Sequence, residues 1–224
     1  RPDASLMGGG SSAPSPTHSE LSLAAGQVVL SLQADEDDAR NARQTPQELT
    51  RLICEEAQRW AATQPALAWM SGWPPILHPF GSSACTLAQH GSDLDLTLLF
   101  EASAGQGQWC RFSYDAQRSL ITHLHRVLLG ARQSGDTRWI SVESMLNQRQ
   151  PVLRLVDARS RMRVDLSICE HLGLANTAML RVYAAVNPNF RLLCLFVKHW
   201  SQRRRVNDVS QHMLSSYAWS LLVL

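Results

Sequence analysis

The sequence predicts an α/β protein in which a strand-rich module is followed by the beginning of a helical one. Apolar residues alternate with period two in short runs between residues 76 and 168. After residue 170 the spacing becomes that of amphipathic helices. The chain has 224 residues, 45% of them hydrophobic, which suffices for a sizeable core in one large domain or slightly more.

Residues 1–44 are rich in Ser, Ala, Gly and Pro and read as a disordered tail, with Leu21 to Leu32 as the one stretch able to order. Thr45-Pro46-Gln47-Glu48 predicts a helix start, with a hydroxyl cap, Pro in the first turn and Glu three residues after the cap. That helix, 45–62, continues through Leu49, Leu52, Ile53, Glu56 and Trp60 and is expected to join the helical domain. Gly72-Trp73-Pro74-Pro75 closes the region and leads into the apolar run Ile76 to Phe80. Leu94 to Phe100 alternates as a strand, with Leu94, Leu96 and Leu98 on one face and Asp93, Asp95 and Thr97 on the other. Asp115 to Gly130 carries a helical stripe of Leu120, Ile121, Leu124, Val127 and Leu128. Strands follow over 137–143, 152–157 and 161–168, the last two joined as a hairpin through Ala158-Arg159-Ser160. In the third, Asp165 turns outward with Arg163 and Ser167. Helices are predicted over about 173–186, after Asn187-Pro188, and from near Leu214. The catalytic module therefore spans 63–170 and the helical one begins at 171, with both chain ends reading as cuts in something longer.

Composition narrows the setting. The net charge is +2, with one dense basic run at Arg203-Arg204-Arg205 that is ordinarily a solvated helix face. Five cysteines are odd in number and form no CxxC pair, so neither a zinc site nor a disulfide framework is indicated. A reducing intracellular compartment fits, cytoplasmic or mitochondrial. No run approaches the roughly 18–20 apolar residues of a membrane span.

The chemistry lies in Phe80-Gly81-Ser82-Ser83 and Ser92-Asp93-Leu94-Asp95. Asp93 and Asp95 share a strand face, and Asp165 on a neighbouring strand meets them on the same side. Three carboxylates at close range repel, and divalent cations such as Mg2+ or Mn2+ resolve the repulsion. Two ions about 3.5–4 Å apart activate an attacking hydroxyl and stabilise a leaving pyrophosphate. The Gly81-Ser82 turn lets backbone N–H groups approach a phosphate closely. A lone DxD pair is often an ordinary solvent-facing strand; the upstream Gly-Ser and the later Asp set this one apart.

With these motifs the chain resembles the DNA polymerase beta-type nucleotidyltransferase superfamily, and within it the noncanonical poly(A) polymerases and terminal uridylyltransferases. Phe80-Gly81-Ser82 with Asp93-Leu94-Asp95 matches the family signature, and Val164-Asp165-Leu166-Ser167 matches the strand of its third metal-binding Asp. Asn176-Thr177 matches the helix start that contacts the nucleotide sugar, and Phe196-Val197-Lys198-His199-Trp200 the helix whose Lys reaches the triphosphate. Leu214-Ser215-Ser216-Tyr217 matches the segment whose Tyr stacks on the base while the adjoining Ser approaches the phosphates. Many relatives carry a second Lys where this chain has Gln202, leaving Arg203 or Arg204 to supply that charge.

The resemblance implies a palm with a mixed sheet and a truncated helical domain, with nucleotide between them. Asp93, Asp95 and Asp165 would be catalytic and hold metal; Gly81, Ser82, Ser92, Asn176, Thr177, Lys198, Ser216 and Tyr217 would bind the nucleotide. The implied reaction adds UMP from UTP to an RNA 3′ end, with ATP as the alternative substrate, in an RNA-processing complex. Two rivals stay open, an inactive RNA-binding scaffold and a small-molecule nucleotidyltransferase, although the latter would not be expected to carry Asn176-Thr177 and Ser215-Ser216-Tyr217. His123 and His125 read as structural, and nothing requires His90 in the chemistry.

Overall fold

The computed structural model describes residues 17–70, 72–102 and 109–224. Five strands form one mixed sheet: β1 (Pro75–Phe80), β2 (Leu94–Phe100), β3 (Trp139–Met145), β4 (Val152–Asp157) and β5 (Arg163–Ile168). Their order is β1-β2-β5-β4-β3, with β2 and β5 parallel and every other neighbouring pair antiparallel. The expected β4–β5 hairpin is present. Its turn is held by Asp157, whose Oδ1 accepts from the N–H of Arg159 and of Ser160 at 3.0 and 2.8 Å.

One face of the sheet is covered by α2 (Glu36–Ala62) and α4 (Tyr114–Gln133). Leu49, Ile53, Ala57 and Trp60 of α2 and Leu120, Ile121, Leu124 and Leu128 of α4 are buried with Leu96, Leu98, Leu155, Val164 and Leu166 of the sheet. The stripe predicted for α4 is therefore its core face. His123 contacts Glu56 at 3.2 Å and His125 the Val142 carbonyl at 3.3 Å, so both tie helices to the core.

A second, smaller core joins the residues after β1 to the later helices α5 (His171–Val186), α6 (Pro188–Arg203) and α7 (Ser216–Leu221). Cys85, Leu87, Leu180, Ala184, Phe190 and Cys194 are buried there. Asn187 caps α6 by accepting from the Asn189 N–H at 3.0 Å, with Pro188 at the first helical position, where its missing N–H costs nothing. Ser215 caps α7 by accepting from the Ala218 N–H at 3.1 Å.

The N-terminal third departs from expectation. Residues 1–16 lie outside the described residues, but 18–44 are mostly helical rather than a disordered tail. The helix α1 (His18–Leu32) starts with a reciprocal Thr17–Glu20 capping box. Next, α2 starts at an Asp35 cap, with Glu36, Asp37 and Asp38 in its first turn, where the helix dipole favours negative charge. Residue 45 is accordingly no helix start. Pro46 sits inside α2, at a cost of about 3 kcal/mol, which the packing of the following two turns on the sheet offsets. The helix expected to join the helical domain thus belongs to the palm core; α1 is the element that packs on α6. Ser167, expected to point outward, is buried and donates to the Leu96 carbonyl at 3.2 Å.

Since Ile53 is fully buried at the α2–sheet contact, Ile53→Ala is expected to destabilise the fold by about 2–4 kcal/mol in urea unfolding. A helix packed only loosely on the palm would show under about 1 kcal/mol.

Candidate active site

The site is built where β1 ends. Gly81 has φ +71°, a left-handed conformation that only Gly adopts without strain. A Cβ there would stand 2.2 Å from Asp95 Oδ2, so the residue must also lack a side chain to let the carboxylate pass. The short helix α3 (Gly81–Ala84) follows. The Gly81 N–H donates to Thr177 Oγ1 at 2.8 Å, and that hydroxyl donates onward to the Gly173 carbonyl at 2.6 Å.

Strand register places the carboxylates. Asp95 on β2 is the partner of Asp165 on β5, and Asp165 is the partner of Arg154 on β4. Arg154 grips Asp165 with two parallel hydrogen bonds, Nε to Oδ1 at 2.8 Å and a terminal nitrogen to Oδ2 at 2.6 Å. Asp93 faces Arg163 at 3.4 Å. Asp95 has no such ion pair among the described residues. Burial, followed by the charges of Asp165 and Asp93, pushes its carboxyl up to about 7. Burial, more than any neighbouring charge, also moves the Asp93 carboxyl upward. Lys198, brought in by α6, is held below the ordinary lysine range by burial and reaches the Leu87 carbonyl at 3.4 Å.

A cavity of about 650 Å³ opens over this row. Gly81, Ser82, Ser92, Asp93, Asp95, Asn176, Thr177, Lys198, Ser216 and Tyr217 all line it. Asp165 alone of the expected site residues is not part of its wall, its carboxylate being turned to Arg154. The Asn-Thr pair lies inside α5 rather than at its start, which Glu170 caps by accepting from the Gly173 N–H at 2.8 Å. Thr177 gives its hydroxyl proton to Gly173 and one lone pair to the Gly81 N–H, so it positions that turn while lining the cavity. Gln202 lines the cavity, whereas Arg203 and Arg204 do not; Arg163 is the additional cation in the wall.

Three further residues support the site. Arg163 was legible as the residue two before Asp165 on one strand face; Arg154 needed the hairpin register. Gln89, buried, donates from Nε2 to the Leu195 carbonyl at 2.7 Å, while its backbone N–H donates to Ser92 Oγ at 2.9 Å. It thereby fixes the turn before Asp93 against α6. His90 in that turn contacts Asp38 at 2.8 Å, away from the cavity. With Asp35 these form the one group of three among the described residues whose metal-type ligand atoms lie within 4.8 Å of one another. It is an exposed corner at a helix N-terminus, where the dipole opposes a cation, and Asp35 already accepts from the Asp38 N–H at 2.7 Å. The acidic pair lining the cavity is the better fit for divalent metal: Asp95 is half-buried beside two like charges with no ion-pair partner among the described residues, and Gly81, lacking a Cβ, lets its carboxylate reach the cavity.

The family model for the central palm domain of mitochondrial-like poly(A) RNA polymerase matches residues 22–185. The chain belongs to that family. Relatives include Protein HESO1 of Arabidopsis thaliana, 32% identical over 66% of this chain and 27% of that protein. Human Poly(A) RNA polymerase GLD2 is 30% identical over 64% of this chain and 28% of its own length. Human Terminal uridylyltransferase 7 is 31% identical over 65% of this chain and 9% of its own. The palm-family chain thus spans about a quarter or less of these curated relatives. Among solved structures, the Cid1 poly(U) polymerase with Mg and 3′-dATP superposes with TM-score 0.67 at 22% identity, over 93% of this chain and 55% of that one. The mtPAP complex with ATPγS gives TM-score 0.68 at 17% identity, over 91% of this chain and 41% of that one. The fold is therefore the polymerase beta-like nucleotidyltransferase palm. Among the described residues, no helix is long and apolar enough to cross a membrane.

The raised Asp95 carboxyl has a pH consequence. The folded protein holds that proton up to about pH 7, whereas the unfolded chain releases it near 3.8. Without added metal, stability therefore falls as pH rises from about 4 to about 7. Asp95→Asn, melted in chelator, is expected to raise Tm by about 5 °C or more at pH 8 and to leave it nearly unchanged at about pH 3.5, where the carboxyl is protonated in both states. Equal melting shifts at both pH values would contradict the assignment.

Proposed function

We propose that this chain carries the palm of a template-independent RNA 3′-terminal nucleotidyltransferase that uses UTP, with ATP as the alternative substrate. The observation that carries the reading is the register-matched Asp95–Asp165 pair with Asp93 beside it, set under a cavity edged by the Gly81-Ser82 turn. Membership of the palm family supports it, and relatives bear both poly(A) polymerase and terminal uridylyltransferase names.

In this reading the RNA 3′ oxygen attacks the α-phosphorus of the nucleotide. A new phosphodiester bond forms, the bond from the α-phosphorus to the bridging oxygen breaks, and pyrophosphate leaves. Mg2+ or Mn2+, when bound by Asp93, Asp95 and Asp165, supplies hydroxyl activation and charge neutralisation on the leaving group. Lys198 holds the triphosphate with Ser82, Ser92 and Ser216. Because Gly81 gives its N–H to Thr177, the phosphate must use the N–H groups that follow in the turn. Asn176 faces the sugar. Tyr217 stacks on the base, an attraction of about 1–3 kcal/mol open to any base, so it cannot choose between UTP and ATP. Cys54, Cys85, Cys169 and Cys194 are free thiols, which suits a reducing compartment.

Primer extension tests this, using the complete protein, a single-stranded RNA, Mg2+ and each nucleotide separately. Extension with UTP, lowered about 10³-fold or more by Asp93→Ala/Asp95→Ala, is the expected result. Preference for ATP would make it a poly(A) polymerase. Nucleotide binding without extension would favour the inactive scaffold.

A further inference from the structure

The residue row across the sheet runs Asp95, Asp165, Arg154, Glu143, each the register partner of the next. Its charges alternate after the first pair: negative, negative, positive, negative. Arg154 takes both Asp165 oxygens in a planar fork, the strongest geometry for an arginine–carboxylate pair. Both side chains are largely shielded, at 28% and 19% exposure, so solvent screens the pair only partly. Arg163, two residues before Asp165 on β5, meets Asp93 at 3.4 Å and with more exposure.

We propose that Arg154, assisted by Arg163, is a built-in counter-ion that competes with divalent metal for the site's carboxylates and so sets its metal affinity. This rests on the metal reading proposed above. A carboxylate offers about four lone-pair sites, and the fork occupies one on each oxygen of Asp165. Full engagement of Asp165 by a cation therefore requires the fork to loosen. Glu143, exposed and adjacent in the row, receives the displaced guanidinium. The remaining charged neighbours oppose each other: Lys198 repels an incoming cation, whereas Asp95 attracts it. Without the arginines, three carboxylates would repel one another whenever metal is absent, a destabilising load on β2 and β5. Arg154 is thus a positioning residue, acting on the reaction only through Asp165.

Competition makes a prediction opposite to simple support. An arginine that merely oriented Asp165 would lose metal affinity on removal; a competitor would gain it. The test is direct Mn2+ binding by electron paramagnetic resonance, at pH 8 and without nucleotide, in the complete protein. Arg154→Met is expected to tighten Mn2+ binding about fivefold or more, and Arg163→Met about twofold. Arg159→Met removes a charge from the hairpin turn while keeping the backbone N–H bond to Asp157, and is expected to change affinity by less than about 1.5-fold. Unchanged or weaker binding in Arg154→Met, or an equal shift in Arg159→Met, overturns the proposal. If thermal melting shows that Arg154→Met does not fold, Arg163→Met decides by the same direction of change. Absence of Mn2+ binding in wild type and all variants overturns the metal reading as well; equal binding throughout overturns only the competition.

Discussion

Three carboxylates gathered on one face of a sheet, against their mutual repulsion, are the constraint on which this structure depends. Backbone hydrogen bonding supplies the force that gathers them. The parallel pairing of β2 with β5 fixes Asp95 opposite Asp165, and the antiparallel pairing of β5 with β4 fixes Asp165 opposite Arg154. A slip of one residue in either pair would turn a carboxylate to the other face. The apolar residues between them prevent the slip, because Leu94, Leu96, Val164 and Leu166 are all buried. The large core under α2 and α4 therefore does more than stabilise the domain; it sets the register that assembles the acidic site.

The second core has a different task. It joins the residues that follow the Gly81 turn to α5, α6 and α7. The contact from Gly81 N–H to Thr177, and those from Gln89 to Leu195 and Ser92, bind the two turns that line the cavity to helices that carry Asn176, Lys198 and Tyr217. The carboxylates thus come from the sheet, while Asn176, Lys198 and Tyr217 enter the cavity wall from the helices. The cavity forms where the two cores meet, so displacement of either would change its shape.

Most of the site was legible because strand alternation is a local property. Asp93, Asp95 and Asp165 could be placed on a common side from sequence spacing, and Gly81 from the turn that separates β1 from α3. What could not be read was set by pairing between distant segments. Arg154 lies beside Asp165 only because the hairpin turn, organised by Asp157, determines which residues face each other. No local signal shows that Thr177 also holds the Gly81 turn, because its hydroxyl meets the Gly81 N–H across 96 residues of sequence. Pro46 misled for the reverse reason: it is a strong local signal for a helix start, but the acidic turn at Asp35 starts the helix earlier and sheet packing carries it through. The low-complexity look of residues 18–44 likewise concealed α1, whose Val29 is buried and which packs on α6.

The acidic row and the exposed Asp35–Asp38–His90 corner make opposite claims on a divalent cation, and burial beside like charge favours the row. The most direct measurement is a crystal of the complete protein grown with Mn2+ and a non-hydrolysable nucleotide triphosphate, with the anomalous signal of manganese used to locate it. The account requires a peak between the Asp93 and Asp95 carboxylates, beside the Gly81 turn. A manganese peak at His90 with none at Asp93 and Asp95 would contradict it.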